Sequence, residues 1–232
     1  MLRTVFRWAW RALLLTLIAL LLIQFWFVAH IGYWANHDPD VTAFMQSRLE
    51  KLRVKAPKAT LKHQWVPYNR ISIHLKRAMV AAEDAKFLDH EGFDWEAIQK
   101  AYEKNLKKGK VVAGGSTISQ QLAKNLFLSG ERSWWRKAQE AAITVMIETI
   151  LTKRRIFEIY LNVIEWGDGV FGAEAASRHH FGTSAANLTA EQAARLAAMV
   201  PSPRRYGPGS ETAYLQRRTE IIQRRMNSAL VP

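Results

Sequence analysis

The sequence contains no cysteine, so it can form neither a disulfide bond nor a thiolate metal site, and its fold must depend on an apolar core. Its seven histidines include no His-Glu-x-x-His pair, and the adjacent His179 and His180 point apart if they lie on a helix. The sequence therefore predicts no built-in transition-metal site. Strand-like alternation is also scarce, which favours a mostly α protein.

Acidic residues are few relative to basic ones. The chain has 20 Asp and Glu against 33 Lys and Arg, which gives a formal net charge of +13 and a pI near 10.2. Such a balance indicates an anionic partner: nucleic acid, an acidic membrane surface or a phosphorylated substrate.

A long uncharged run lies near the N-terminus. Residues 13–31 carry no charge when His30 is neutral, and their length is close to the roughly 20 residues that span a bilayer as a helix. Arg3, Arg7 and Arg11 precede the run, and aromatic residues crowd its far end. The pattern predicts an uncleaved membrane anchor. A signal peptide and a buried core helix are the alternatives, although the run is longer than the core of a signal peptide.

The charges around this run predict its orientation. Basic residues before the span and a long remainder after it indicate a cytoplasmic N-terminus and a domain outside the cytoplasm, where nucleic acid is not an expected partner. We expect a cytoplasmic segment at residues 1–12, a transmembrane helix at 13–31, a membrane-proximal connection at 32–70 and one domain at 71–232.

From Ser72 onward the apolar spacing predicts one helix after another, with at most one short hairpin. The first predicted helix places Leu75, Met79 and Ala82 on successive turns and continues to Lys86 or Phe87. A second helix is predicted from the cap Asp94 to Gly109, and a third begins at about Thr117. A long helix begins at Ser133, has a well-buried centre at 141–147 and is followed by another helix. The last two predicted helices run from the capping box at 189–192 to Pro201 and over 212–226.

The segment GGSTISQQLAKN (114–125) combines a flexible turn with a helix start. Its glycines free the backbone, and Ser116 or Thr117 can cap the exposed N–H groups, so the start of this helix favours an anion. Gln120, Gln121 and Lys124 extend a polar stripe from Ser116 along adjacent turns. Read alone, the segment also fits an ordinary helix start, so the neighbouring clusters must decide.

Charged clusters lie on both sides of that segment. Upstream, Glu83 and Asp84 precede an aromatic residue and a turn. Apolar neighbours can adjust the proton affinity of a carboxylate so that it acts as a general acid or base. The alternative is that both residues are ordinary surface charges. Downstream, Arg136 and Lys137 stand one helical turn before Glu140. Intrahelical ion pairing explains them, but the apolar helix that follows indicates charges at the edge of a cleft.

These motifs carry a resemblance to a known family. EDAKFLDHEGFD, GGSTISQQLAKN, RKAQE, KRRIFEIYLN and GVFGAEAAS with HHFG occur in the order and spacing of peptidoglycan glycosyltransferases of glycosyltransferase family 51, and the agreement covers about residues 70–205. The chain resembles the monofunctional, membrane-anchored form. The resemblance implies a lysozyme-like helical glycosyltransferase domain that polymerises lipid II into glycan strands on the outer face of the bacterial cytoplasmic membrane.

The resemblance also implies roles for individual residues. Glu83 matches the general base, which takes the proton of the acceptor's GlcNAc 4-hydroxyl as it attacks C1 of the donor's MurNAc with inversion. Glu140 matches a second acidic position that orients groups or binds sugar and cation. The matches to substrate-binding positions are Lys124, Arg132 and Lys137 around the undecaprenyl diphosphate, with Ser116, Gln121 and Asn125 lining the cleft. Because the diphosphate is anionic, a divalent cation, Mg²⁺ or Mn²⁺, can bridge its oxygens, although the sequence shows no dedicated set of metal ligands.

Other polar residues are expected to support the fold. We expect Asp84 to bond nearby backbone, His90 to close the turn at Gly92, and Glu158 and Asn162 to brace one helix face.

The stretch NLFLSGERSWWRK (125–137) has more apolar surface than a connecting loop needs. It either anchors its flanking helices in the core or dips into the membrane, as this part of the family's fold does. The sequence departs from the family at Val163, where an Asn-Gln pair is frequent. It also has no SxxK or KTG motif of a transpeptidase, so we expect glycan polymerisation without peptide cross-linking.

The sequence leaves two other functions as alternatives. A lysozyme-like hydrolase would use Glu83 as a general acid, but it explains neither the anchor nor the lysines after GGSTISQQ. A non-catalytic scaffold would recruit cell-wall synthesis proteins, which are candidate partners in any case, but it has no reason to hold Glu83, Lys124 and Lys137 together.

Overall fold

The structure, a computed structural model, describes residues 2–110, 114–128 and 133–232. The chain divides into two compact units, one ending at His37 and the other formed by Asp38–Pro232. The first unit consists mainly of helix α1 (Leu2–Trp34), which extends beyond both ends of the uncharged run. With a mean hydropathy of 2.5 in its most apolar window, α1 is long and apolar enough to cross a membrane, which is compatible with a single-pass anchor.

The second unit is mostly helical, as the sequence predicted. Its α-helices are α2 (Ala43–Lys55), α3 (Ile73–Glu83), α4 (Trp95–Lys108), α5 (Ile118–Phe127), α6 (Trp134–Ile150), α7 (Lys153–Val163), α8 (Ala173–Phe181), α9 (Ala190–Met199) and α10 (Ala213–Arg225). Short 3₁₀ turns lie at Tyr68–Arg70, Ala185–Asn187, Pro203–Arg205 and Met226–Ser228, and the strands are β1 (Lys62–His63), β2 (Glu165–Gly167) and β3 (Val170–Phe171).

Local capping signals fix most helix starts. The side chains of Asp94, Ser133 and Thr212 each accept the backbone N–H three residues ahead at the starts of α4, α6 and α10. Thr117 and Thr189 form complete capping boxes at α5 and α9. These five starts agree with the sequence prediction because a cap depends on neighbours within one helical turn.

Helix α3 is shorter than its apolar spacing predicted. It ends at Glu83, and Asp84 leaves the helix with φ −160°. The carboxylate of Asp84 thereby reaches the first backbone N–H of α5, that of Ile118, at 3.0 Å. Phe87 is still completely buried, but it reaches the core from the turn after the helix.

The expectation that α6 is well buried on several sides was wrong. Only one of its faces is buried, with Ile143, Thr144 and Ile147 on it, while Val145 is exposed. The helix that follows, α7, is the buried one, because it packs against α5, α6 and α8. Apolar composition alone did not distinguish these two consecutive helices.

The expected short hairpin is present and belongs to a small sheet of order β1-β3-β2. Strands β2 and β3 pair antiparallel, and β1 adds in parallel to β3. Glu158 and Asn162 of α7 brace this region as expected, because Glu158 accepts the N–H of Tyr68 and the Asn162 amide bonds both backbone groups of Val66.

A glycine allows close packing between α7 and the start of α8. Gly172 has φ +80°, and a Cβ there would lie 2.6 Å from the backbone oxygen of Asn162. The residue must therefore tolerate both a left-handed backbone and contact with another main chain. Gly182, at the other end of α8, has φ +67° but nothing within 4 Å of such a Cβ.

We predict that Gly172→Ala lowers the free energy of unfolding of the second unit by more than about 3 kcal/mol, because strain and a backbone clash add. Gly182→Ala is the matched control and should cost about 1 kcal/mol, the cost of the left-handed backbone alone. Denaturant unfolding of the full chain in detergent measures both. Equal effects of the two substitutions would contradict the assigned contact.

Candidate active site

A single cavity of about 360 Å³ brings together most of the residues that the sequence singled out. Its walls come from the end of α3, from α5, from the first turns of α6 and from the residues after α9. They are Glu83, Ser116, Gln120, Gln121, Lys124, Arg136, Lys137, Glu140, Val200 and Pro201. Asn125 lines an adjoining cavity together with Gln121 and Lys124, and Arg132 lies outside the described residues.

Glu83 lies at the end of α3 with its side chain only 12% exposed. Gln121 donates from Nε2 to its Oε2 at 3.0 Å, and Nη2 of Arg218 lies 3.4 Å from its Oε1. Burial raises the pKa of Glu83 above its ordinary value, and nearby Asp84 adds to this, whereas the Gln121 hydrogen bond and the Arg218 charge act in the opposite direction.

The amide of Gln121 is itself oriented from the core. Tyr160 of α7 donates its hydroxyl to Oε1 of Gln121 at 3.0 Å, which turns Nε2 toward Glu83. Burial raises the pKa of Tyr160 well above its ordinary value, and the charges of Glu83 and Asp84 raise it further, so the phenol keeps its proton. A buried chain of hydrogen bonds therefore ends on the Glu83 carboxylate.

His90 closes the turn at Gly92 as expected, whereas Asp84 bonds the backbone of another helix and the ring of His90. The N–H of Gly92 donates to Nδ1 of His90 at 3.1 Å, and Nε2 of His90 lies 3.0 Å from Asp84. A ring that accepts at Nδ1 carries its proton on Nε2, so His90 donates to the carboxylate. Asp84 also accepts the N–H of Ile118, which ties the end of α3 to the start of α5.

The start of α5 is already supplied with an anion. The sequence suggested that this helix N-terminus could hold a phosphate or another external anion, but it is the carboxylate of Asp84 that accepts its first N–H. The side chain of Gln120 accepts the N–H of Thr117, and the Thr117 hydroxyl accepts the N–H of Gln120 and donates to the Gly92 carbonyl at 2.7 Å. Helix α5 therefore contributes to the cavity through its side chains.

The opposite wall is basic. Lys137 and Arg136 both pair with Glu140, Lys137 at short range and Arg136 at 3.7 Å, and Glu140 is buried. Intrahelical ion pairing and exposure to a cleft, which the sequence offered as alternatives, are therefore both present. Two cations share one carboxylate, which leaves this wall with net positive charge.

The sequence analysis missed two contributors to the site. Arg218 belongs to α10, which the sequence showed only as a basic helix, and it contacts Glu83 across 135 positions of chain. Tyr160 is inside a motif that was quoted, but nothing in the motif indicates that its hydroxyl supports Gln121. The amphipathic pattern of α10 predicts that one side faces the core, and that side contains Arg218 and the buried Thr219.

Two tryptophans of the stretch 125–137 point away from the core. Trp134 and Trp135 are 92% and 86% exposed, whereas Leu128 is buried. Core anchoring is therefore wrong for the two tryptophans and right for Leu128. Membrane contact by this stretch stays a prediction, and residues 129–132 within it lie outside the described part of the chain.

We predict that Asp84→Ala lowers the free energy of unfolding by about 3 kcal/mol, because it leaves the buried N–H of Ile118 without its acceptor. Asp84→Asn keeps one acceptor oxygen and should cost less. Asp89→Ala, at an exposed acid on the same turn, is the control and should change stability by less than about 0.5 kcal/mol. Urea unfolding measures all three, and wild-type stability of the Asp84→Ala protein would contradict the role given to this carboxylate.

Comparison with known proteins identifies the family of this chain. The Transglycosylase family matches residues 50–227, which include every lining residue of the cavity. Proteins named biosynthetic peptidoglycan transglycosylase are 63% identical over 223 residues in Methylobacillus flagellatus (96% of this chain, 97% of that protein) and 61% identical over 226 residues in Nitrosospira multiformis (97% and 98%). A third, from Janthinobacterium sp., is 64% identical over 212 residues (91% and 92%). The chain therefore belongs to the transglycosylase family and is a peptidoglycan glycosyltransferase.

Proposed function

We propose that this chain polymerises lipid II into peptidoglycan glycan strands, with Glu83 as the general base. The observation that carries the proposal is the cavity itself, which is lined both by the desolvated carboxylate of Glu83 and by the cations Arg136 and Lys137. A glycosyl transfer from a lipid diphosphate needs both features, a base for the incoming hydroxyl and positive charge for the leaving group.

The proposed step is one displacement. The 4-hydroxyl of the acceptor's GlcNAc gives its proton to the Glu83 carboxylate while its oxygen forms a bond to C1 of the donor's MurNAc. The bond from C1 to the diphosphate oxygen breaks, and undecaprenyl diphosphate leaves with the electron pair. Attack opposite the leaving group inverts the configuration at C1.

Positive side chains would stabilise the charge that develops on the diphosphate. Lys124 and Lys137 line the cavity with Arg136, and the family resemblance adds Arg132. Glu140 pairs with both cations of its helix, so we assign it the task of holding Lys137 and Arg136 in place. Such preorganised charge costs no rearrangement during the reaction, and losing one contact typically lowers the rate about 10²-fold or more.

Two polar residues of the cavity can form hydrogen bonds in the complex with substrate. Ser116, at the start of the polar stripe, offers a hydroxyl to a sugar, while Gln121 also holds Glu83. The described residues contain no group of three or more His, Asp or Glu side chains that could hold a metal ion. We propose that Mg²⁺ or Mn²⁺ would bind together with the diphosphate, with the Glu140 carboxylate as the protein oxygen that would hold it, and no step above depends on it.

Helix α1 suits a lipid-linked substrate. A single-pass anchor keeps the domain at the surface where lipid II resides, and the three arginines before its apolar run favour a cytoplasmic N-terminus. The exposed Trp134 and Trp135 give the same domain an aromatic surface of the kind found at lipid headgroups.

A lysozyme-like hydrolase is the second candidate, because a carboxyl group with a raised pKa can also serve as a general acid. The basic wall favours transfer over hydrolysis, since water attack on a finished glycan releases no anionic leaving group. Incubation with lipid II and, separately, with finished glycan distinguishes the two. Growth of strands from lipid II supports transfer, and shortening of glycan without growth would support hydrolysis.

We predict that Glu83→Gln lowers lipid II polymerisation by about 10³-fold or more, because the amide keeps the shape of the side chain but cannot take a proton. Glu91→Gln, at an exposed acid outside the cavity, should retain wild-type rates. Strand synthesis by purified full-length protein in detergent measures both. Near-normal synthesis by the Glu83→Gln protein would refute the assigned base.

We predict that Arg218→Met shifts the acidic limb of the pH profile of kcat/KM to higher pH. The base works when deprotonated, and Arg218 lowers the pKa of Glu83, so removing this cation raises that pKa and more of the enzyme is protonated at a given pH. The exposed Arg217 provides the matched control, Arg217→Met, which should leave the limb in place. An unchanged limb in the Arg218→Met protein, or a shift to lower pH, would contradict the assignment.

A further inference from the structure

A second cavity of about 180 Å³ adjoins the cleft and shares Gln121, Lys124, Val200 and Pro201 with it. The glycosyl transfer step proposed above does not involve this second cavity. Its other lining residues are Phe44, Asn125, Ile164, Glu165, Pro203 and Arg204. Because Lys124 belongs to both cavities, a substrate whose diphosphate lies at Lys124 has its nearest substituents at the mouth of the second one.

Helix α2 forms the outer wall of this cavity, and contacts with the rest of the unit hold its side chains in place. Phe44 packs edge-on against the buried Phe171, with the two ring centroids 6.2 Å apart. The centroid of the Phe44 ring lies 5.9 Å from Nζ of Lys124. One turn further, the buried Arg48 bonds Glu165 at 3.0 Å and Asp168 at 2.5 Å. Phe44 and Arg48 precede residue 50, where the family match begins, whereas Glu165, Asp168 and Phe171 belong to the hairpin of β2 and β3.

The second cavity combines apolar walls with groups that recognise amides and carboxylates. Arg48 is shared by Glu165 and Asp168, so one cation faces two carboxylates, and Arg204 lies 3.9 Å from Glu165 as a second cation. The Arg204 side chain is 61% exposed at the cavity mouth. One amide N–H of Asn125 donates to the Gln121 carbonyl at 2.7 Å, and an amide has a further donor and an acceptor to offer.

We propose, resting on the function proposed above, that this cavity binds the first part of the peptide carried by the donor's MurNAc, with Arg204 recognising a carboxylate of that peptide. The peptide begins on the same sugar ring whose C1 carries the diphosphate, so it starts within one ring of Lys124. It offers the chemistry that the walls match: small apolar side chains, amide groups and carboxylates.

The size of the cavity limits how much of the peptide it holds. At about 180 Å³ it is half the size of the main cavity of about 360 Å³, so we assign it only the first residue of the peptide. The rest of the peptide passes Arg204 into solvent, so the residue acts at the point where the peptide leaves the protein.

The test separates donor from acceptor. A labelled lipid-linked disaccharide diphosphate, capped at the 4-hydroxyl of its terminal sugar, can only donate; it is prepared with and without the peptide. The acceptor is a peptide-free lipid-linked disaccharide in every assay. The quantity measured is the ratio of kcat/KM for the peptide-bearing donor to that for the peptide-free donor, using the full-length protein in detergent.

We expect Arg204→Met to lower this ratio about tenfold, the loss typical of one hydrogen bond to a charged group. Arg204→Lys, which keeps the charge, should recover part of it. Arg205→Met removes the exposed neighbouring arginine and should leave the ratio unchanged. An unchanged ratio in the Arg204→Met protein, or an equal fall in the Arg205→Met protein, would overturn the peptide site while leaving the polymerase intact. Failure of the wild-type protein to transfer either donor would instead overturn the proposed function and the peptide site with it.

Discussion

The cleft is organised around the carboxylate of Glu83, which burial has desolvated. Burial makes Glu83 hold its proton more tightly, and the hydrogen bond from Gln121 and the charge of Arg218 partly reverse that effect. Each partner must itself be held in place for this balance to persist. Tyr160 fixes the Gln121 amide from the core, and Asp84 joins the end of α3 to the start of α5, so the packing of the helices determines the proton affinity of one group.

The two acidic residues of the cavity have different surroundings and therefore different tasks. Glu83 has one partly exposed arginine near it, while Glu140 is paired with two cations of its own helix. A carboxylate with little compensation can accept a proton, whereas one held between cations serves to position them. Helix α5 donates a hydrogen bond from Gln121 to Glu83 and supplies Lys124 to the cavity that both acidic residues line.

Local features of this protein could be predicted from its sequence, and long-range ones could not. The caps Asp94 and Thr117 were predicted because a cap is decided within one helical turn. The contact of Arg218 with Glu83 depends on how α10 packs against α3, and the amphipathic pattern of α10 indicates its inward side but not the residue that this side contacts. The early end of α3 has the same origin, because it follows from a bond between Asp84 and a residue of another helix. The motifs predicted which residues share a site, but the wall built by α2 required the folded structure.

The most direct test of this account is a titration of the Glu83 carboxyl group. Carbon-13 NMR of carboxyl-labelled full-length protein in detergent, with the signal assigned by its loss in the Glu83→Gln protein, reports the pKa of this group without reference to any reaction. We expect a midpoint above the ordinary value for glutamate, because burial outweighs the hydrogen bond and the arginine. A midpoint at or below that ordinary value would show that the carboxylate is not desolvated and would contradict its role as the tuned base of the cleft.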